Sequence, residues 1–454
     1  MGLSKKAVEI LRMRNIWWEG KKIPKPEYIR ELEKTLIEEL KEDNIIGLIG
    51  PRQGGKSTLL LSIISNLIKK GTEPKRILYI PIETNNLNYQ GIIQDILSFA
   101  LLINNEENPN NISKKIFLFF DEIQKLETWS DEIKLLYDSK LNIQIIISGS
   151  SSRKITKGAG ESLLGRINHH VLLPLSFREI VSNKLQKITP LTDPLSFGDW
   201  KKAYSSVFEN ERKISKLFNN YLLCGGYPAA FELEEQKRIK TLQEYLDLSL
   251  QRDLFFFEEL RDIKSIRELA NICAKYSTER TNYSTIAGAL GIKQDTVKKY
   301  IGLLEDIFIF KEAGVWSKPI QKARREKKIF TIDTGMINAI TYITKIEDEN
   351  QKPKLVENLI GRCILQKEFL LRTNVQLLYY LNKNRQEIDF IVPSYKFTPI
   401  EVKYRKKPII NDAFKEILEK TNKGLIITKD KLEEKQINNK KVIFVPAWLF
   451  VLFY

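Results

Sequence analysis

Eight residues early in the chain, Gly50-Pro51-Arg52-Gln53-Gly54-Gly55-Lys56-Ser57, have the types and spacing needed to hold a phosphate. They satisfy GxxxxGK[ST] and lie between the apolar run Ile45 to Ile49 and a helical pattern starting near Ser57 and Thr58. Glycines there let backbone N–H groups turn inward around a β-phosphate at a helix N-terminus. Lys56 would neutralise β/γ charge, and the Ser57 hydroxyl would ligate Mg²⁺. The whole loop, Gly50 to Thr58, is therefore expected to bind ATP with Mg²⁺. Further on, the apolar run Ile116 to Phe120 ends in Asp121 and Glu122, a Walker B pattern. Asp121 would hold Mg²⁺ through water and Glu122 would polarise the attacking water; the bland alternative is a pair of acids capping the next helix. Ile143 to Ile147 then leads into Ser148, whose hydroxyl falls in the position of a γ-phosphate sensor.

A second constellation lies near the other end. Asp389, a gap of eleven residues, then Glu401 and Lys403 in Glu-x-Lys spacing read as two adjacent strands, with Glu357 upstream on a helix. Alternation places Glu401 and Lys403 on one strand face. Asp389 and Glu401 could then share Mg²⁺ or Mn²⁺, with Glu357 completing the shell and Lys403 orienting a water. A hairpin with solvent-facing charges, or a fold retained without cleavage, remain open.

These residues need elements to position them. Five short β-rich runs, Ile45 to Ile49, Arg76 to Glu83, Ile116 to Glu122, Ile143 to Gly149 and His169 to Leu175, alternate with helical stretches and predict a parallel α/β sheet over residues 1–176. Residues 177–260 read as a helical lid, broken at Cys224-Gly225-Gly226-Tyr227-Pro228; Gly226 and Pro228 there suit either a hinge or a plain helix end. Residues 261–326 outline a winged helix-turn-helix around Gly291. Ala287, Leu290, Ile292, Val297 and Ile301 face inward and Gln294, Lys298 and Lys299 outward, toward DNA or toward a protein partner. Six basic residues between Lys318 and Lys328 face one acid, as a phosphate-gripping wing or a solvated loop. Residues 327–454 return to mixed α/β.

Composition agrees with an ordered, multidomain protein. Of 454 residues 43% are hydrophobic, which excludes wholesale disorder, and a net charge of +16 favours a polyanionic partner. Cys224, Cys273 and Cys363 are too scattered for a disulfide scaffold or a zinc site, so a reducing cytoplasm is expected. No signal-peptide pattern follows Lys5 and Lys6. The longest apolar run, Val442 to Tyr454, is interrupted by Pro446 and is shorter than the roughly 20 residues of a spanning helix, so no membrane role is expected.

The ordered set of motifs resembles the AAA+-related ATPases of archaea and bacteria, whose C-terminal module usually resembles a restriction-endonuclease fold. It comprises the phosphate loop; Phe120-Asp121-Glu122-Ile123-Gln124-Lys125 with Trp129; Ser148-Gly149-Ser150; Leu164-Gly165-Arg166; and Leu173-Pro174-Leu175-Ser176-Phe177-Arg178-Glu179. It continues through Gly225-Gly226-Tyr227-Pro228, Arg252-Asp253-Leu254 and Lys328-Ile329-Phe330-Thr331-Ile332-Asp333-Thr334-Gly335. Gly54 departs from the pattern and should loosen the loop slightly. The resemblance implies that Arg166 completes a neighbouring subunit's site as an arginine finger, in a homo-oligomer, unless it forms only a structural ion pair. The expected activity is an Mg²⁺-dependent ATPase that handles DNA, with a nuclease-like end. The alternative is an ATP-controlled assembly switch on an inert nuclease-like scaffold.

Overall fold

The computed structural model describes residues 2–82, 85–151, 155, 163, 165–254, 262–316, 326–346, 351–371, 375–395, 397–405 and 409–454. The chain forms two compact units, Met1–Leu172 and Leu173–Tyr454.

In the first unit, β1 (Ile45–Ile49), β2 (Ile77–Pro81), β3 (Ile116–Asp121), β4 (Ile143–Gly149) and β5 (Ile167–Val171) form one sheet in the order β2-β3-β4-β1-β5. Every pairing is parallel. The first three strands are buried at every position. Their continuous apolar runs are what a parallel sheet covered on both faces requires. Helix Lys56–Lys69 turns Leu59, Leu60, Ile63, Ile64 and Leu67 inward on one face. Two strands end differently from expectation. β2 stops at Pro81, and β5 runs from Ile167 to Val171.

The second unit opens with helices Phe177–Lys184, Phe197–Val207, Glu211–Cys224, Pro228–Phe231 and Glu235–Leu248. Ser176 and Glu179 start the first of these with a reciprocal capping box. Helix Ile263–Lys275, strand β6 (Arg280–Thr281), helix Tyr283–Leu290 and helix Gln294–Asp306 follow, the last two joined through Gly291 at φ 66°. β7 (Phe310–Val315) and β8 (Lys327–Thr331) are antiparallel. Helices Thr334–Thr341 and Gln351–Leu371 precede β9 (Leu377–Leu381), β10 (Glu387–Ile388), β11 (Phe390–Val392) and β12 (Thr398–Val402). Helix Asp412–Thr421, β13 (Lys423–Thr428), β14 (Glu433–Ile437), β15 (Lys440–Pro446) and helix Ala447–Phe453 complete it. Two five-stranded sheets result, β10-β9-β7-β8-β6 and β11-β12-β13-β15-β14.

One apolar cluster runs from Tyr227 to Ile340 through Leu246, Leu269, Val297, Ile301, Phe310, Ile329 and Met336. It therefore crosses both positions, 260/261 and 326/327, at which the sequence reading divided this half. β8 explains the continuity: it begins at Lys327 yet pairs with both β7 and β6. Among the described residues no helix is long and apolar enough to cross a membrane, and Ala447–Phe453 is buried throughout.

Backbone contact at Gly226 ties the start of this unit to its middle. The Gly226 carbonyl accepts the Leu175 N–H at 2.7 Å, and its own N–H donates to Asp333 Oδ2 at 2.6 Å. Asp333 also caps helix Thr334–Thr341, and Arg362 donates to the Pro174 and Leu175 carbonyls at 2.5 and 3.1 Å. A Cβ on Gly226 would stand 2.0 Å from Leu175 O, an impossible approach to backbone. Gly226→Ala is expected to destabilise the second unit by about 3 kcal/mol, a fall of roughly 6–10 °C in its thermal transition. Calorimetry of the full chain checks this; an unchanged transition would show that the contact gives way freely.

Candidate functional site

The phosphate loop leaves the C-terminal end of β1. Gln53 at φ 60° and Gly55 at φ 97° bend the backbone into helix Lys56–Lys69. Gly50 is required for a different reason, since a Cβ there would lie 2.1 Å from Leu172 O. The buried Lys56 ammonium is drawn into the loop and donates to the Gly50 and Pro51 carbonyls at 3.0 Å each. Arg30, which the sequence reading did not single out, donates to Gly54 O at 2.9 Å and clamps the loop from outside.

Asp121 ends β3, is 4% exposed, and has its carboxylate surrounded by hydroxyl donors. Ser57 Oγ donates to Oδ2 at 2.6 Å, Tyr79 OH to the same oxygen at 2.5 Å, and Ser148 Oγ to Oδ1. Burial and the Asp121 charge together raise the Tyr79 pKa, so the phenol keeps its proton and remains a donor. Ser57 and Asp121 present hard oxygens to one point, a donor set that fits Mg²⁺. Glu122 adopts φ 58° and donates its N–H to Ser148 Oγ at 3.2 Å. Its carboxylate accepts Gln124 Nε2 at 2.8 Å and lies 4.0 Å from the Arg52 guanidinium. Gln124 also reaches Ser150 Oγ at 3.0 Å. The structure thus brings together Lys56, Ser57, Asp121, Glu122 and Ser148, with Arg52 and Gln124 of the same motifs beside Glu122, and adds Tyr79 and Arg30.

Arg166 is elsewhere. It precedes β5, where its carbonyl accepts the Ile45 N–H at 2.9 Å, at the opposite end of β1 from the loop. At about 3.3 Å per residue that is roughly 16 Å along the strand. Its guanidinium pairs with Asp138 at 3.0 Å, so it does not reach the phosphate loop of its own chain. Leu164 of the same motif, and Lys318, Lys322, Arg324 and Arg325 of the basic stretch, lie outside the described residues, as do Lys406 and Lys407.

The C-terminal carboxylates assemble in the second unit, in a different grouping from the one the spacing suggests. Ligand atoms of Glu357, Glu387 and Asp389 lie within 4.8 Å of one another, and Glu401 is outside that group. In their midst is the Lys328 ammonium, 2.7 Å from Glu357 Oε1, in contact with Glu387 Oε1 and 3.6 Å from Asp389 Oδ1. Burial opposes its charge, but Glu357, Asp389 and Glu387 outweigh that and raise its pKa. Glu401 instead pairs with Lys403 at 2.5 Å, and its other oxygen accepts the Asp389 N–H at 3.3 Å. Burial raises the pKa of both Glu357 and Glu401. The oxygens expected to hold Mg²⁺ or Mn²⁺ are engaged in this structure with ammonium and amide donors. Lys327, the neighbour of Lys328, pairs with Glu312 at 2.7 Å, so neither residue is free to grip a phosphate.

Residues 42–181 match the family model described as an AAA domain, while 215–348 and 352–450 match two models each described as a domain of unknown function. An uncharacterized protein of Methanocaldococcus jannaschii is 28% identical, covering 94% of this chain and 91% of its own length. One of Haemophilus influenzae is 24% identical, covering 92% and 96%. Solved structures with some likeness include the Aeropyrum pernix ORC1 protein in complex with DNA, at 10% identity, 70% and 94% coverage and TM-score 0.27. The S. cerevisiae Hsp104:casein complex gives 14% identity, 64% and 52% coverage and TM-score 0.31. The sheet, the loop and the family match together define an AAA-type P-loop ATPase domain in the first unit.

Lys56→Ala is expected to abolish ATP turnover and weaken nucleotide binding, because no other side chain of the loop brings an ammonium into it. Glu122→Gln should bind ATP within about threefold of the parent yet hydrolyse it roughly 10²- to 10³-fold more slowly. Turnover assays beside equilibrium binding of a labelled nucleotide separate the two; parental hydrolysis by Glu122→Gln would remove Glu122 from the water-activating role.

Proposed function

We propose that this chain is an Mg²⁺-dependent ATPase that self-associates and couples its nucleotide state to the handling of DNA. The observation that carries the reading is the joint placement of Lys56 in the loop, Ser57 on Asp121, and Glu122 beside Ser148. Lys56 neutralises the β/γ-phosphates and loop N–H groups orient them. Mg²⁺ held by Ser57 and by Asp121 through water would neutralise further phosphate charge. Glu122 takes the proton of the attacking water, Ser148 aligns Asp121 with the Glu122 backbone, and Arg52 and Gln124 fix the Glu122 carboxylate.

Arg166 is proposed as the group that a neighbouring copy supplies. Its distance from its own loop supports a role in trans. Arg166→Ala should lower turnover without unfolding, and mixing it with Lys56→Ala protein should restore part of the activity, because one mixed interface then pairs an intact loop with an intact arginine. Full activity from a strictly monomeric protein, by light scattering at assay concentration, would refute the assignment.

Helix Gln294–Asp306 is proposed as the DNA-contacting element of a winged helix. Support comes from its inner face, where Val297 and Ile301 are buried, from Gln294 and Lys298, which are exposed on the outer one, and from the exposed Lys293 at its N-cap. The net charge of +16 points the same way. Binding should be electrostatic first, so log affinity falls linearly with log salt, and reversing Lys293 and Lys298 to Glu should reduce that slope by about 2. ATPase turnover measured with single-stranded, duplex and branched DNA tests the coupling. The second reading, an ATP-controlled switch on an inert C-terminal scaffold, draws support from Lys328 among the carboxylates. If DNA changes neither turnover nor binding and the charge reversal has no effect, that reading replaces the first.

A further inference from the structure

We propose that Lys328 is the resident cation of the C-terminal carboxylate site, holding Glu357, Glu387 and Asp389 together where a nuclease of this spacing would use a divalent metal, so that the module folds around a lysine and does not cleave. The inference rests on the C-terminal site alone and stands or falls independently of the ATPase reading.

Three carboxylates this close repel one another, and holding them together, Asp389 buried and Glu357 and Glu387 partly so, calls for a positive charge among them. Lys328 supplies it from the middle of a sheet. Its strand, β8, is hydrogen-bonded to β6 through Arg280 and to β7 through Ala313 at the register of Lys328 itself, so the backbone beneath the ammonium is fixed on both sides. The side chain is 2% exposed, and the rings of Tyr379 and Phe330 lie 5.8 and 5.9 Å from Nζ, in place of a hydration shell.

The remaining valences are also taken. Asp389 Oδ2 accepts the Val402 N–H at 2.7 Å, Glu387 Oε2 pairs with Arg280 Nε at 3.2 Å, and Glu401 Oε1 pairs with Lys403 at 2.5 Å. Four acids, Glu357, Glu387, Asp389 and Glu401, thus meet three bases, Lys328, Lys403 and Arg280, on this network. A divalent ion entering it would face the ammonium at close range and would have to displace it.

The test uses Mn²⁺ as the probe on the full chain carrying Asp121→Asn, which weakens metal uptake at the nucleotide site. Electron paramagnetic resonance titration and thermal denaturation are followed together. The chain with Lys328 intact should show no Mn²⁺ uptake that depends on Asp389, and no rise in melting temperature. Lys328→Met in the same background should gain one Mn²⁺ per chain and a rise of several degrees, both abolished by adding Asp389→Asn. Mn²⁺ binding with Lys328 in place that is lost on Asp389→Asn overturns the proposal, as does a folded Lys328→Met protein that takes up none. Should Lys328→Met fail to fold, Lys328→Met/Glu357→Gln removes one charge of each sign and should recover at least half of the lost melting temperature. A double variant as unfolded as the single one would show that Lys328 is not the counter-ion of this group.

Discussion

A carboxylate that is both buried and charged must be surrounded by donors, and at Asp121 this requirement organises the nucleotide end of the first unit. Its donors come from three places: Ser57 at the head of the helix after the loop, Tyr79 on β2, and Ser148 on β4. The sheet places β3 between β2 and β4, which offers the last two at once, and β1 follows β4 with the loop that delivers Ser57. Strand order, loop position and the orientation of Glu122 are thus linked through one side chain. The Ser148 hydroxyl makes the link explicit, since it donates to Asp121 and accepts from the Glu122 N–H.

What the sequence reveals of this site is what is local to it. The apolar runs, the GxxxxGK[ST] loop and the Asp121-Glu122 pair are contiguous, and each has a backbone consequence that can be read without knowing its neighbours. Tyr79 is different. It sits 42 residues from Asp121 and means nothing catalytic until β2 is known to lie beside β3. Arg30 is less legible still, because it precedes the first strand and touches the loop through a carbonyl that every residue possesses. Arg166 and its alternative ion pair were both readable as possibilities, and within one chain the pair with Asp138 is the contact that forms.

The second unit shows the opposite failure of locality. Lys328 belongs to a run of basic residues that reads as a phosphate-gripping wing or a solvated loop, whereas it and Lys327 each find acids of their own. Glu387, two residues before Asp389, carries no signal as a partner because the Glu-x-Lys spacing points to Glu401. The helices and strands of this half are legible one by one as elements. Their shared core was not, because the residues that fill it, from Tyr227 to Ile340, are apolar in the ordinary way of any amphipathic helix or strand.

β8 is joint property. Its Ile329 carbonyl accepts the Thr278 N–H at 2.9 Å from the stretch before it, and Thr331 exchanges two hydrogen bonds of 2.8 Å with Asn358 from the helix after it. The two family models that match this half of the chain part at residues 348 and 352, which leaves Lys328 in one and Glu357, Glu387 and Asp389 in the other. Replacing either segment alone would take the Lys328 ammonium from the carboxylates it meets here. The two segments are therefore coupled electrostatically, and neither carries a balanced set of charges by itself.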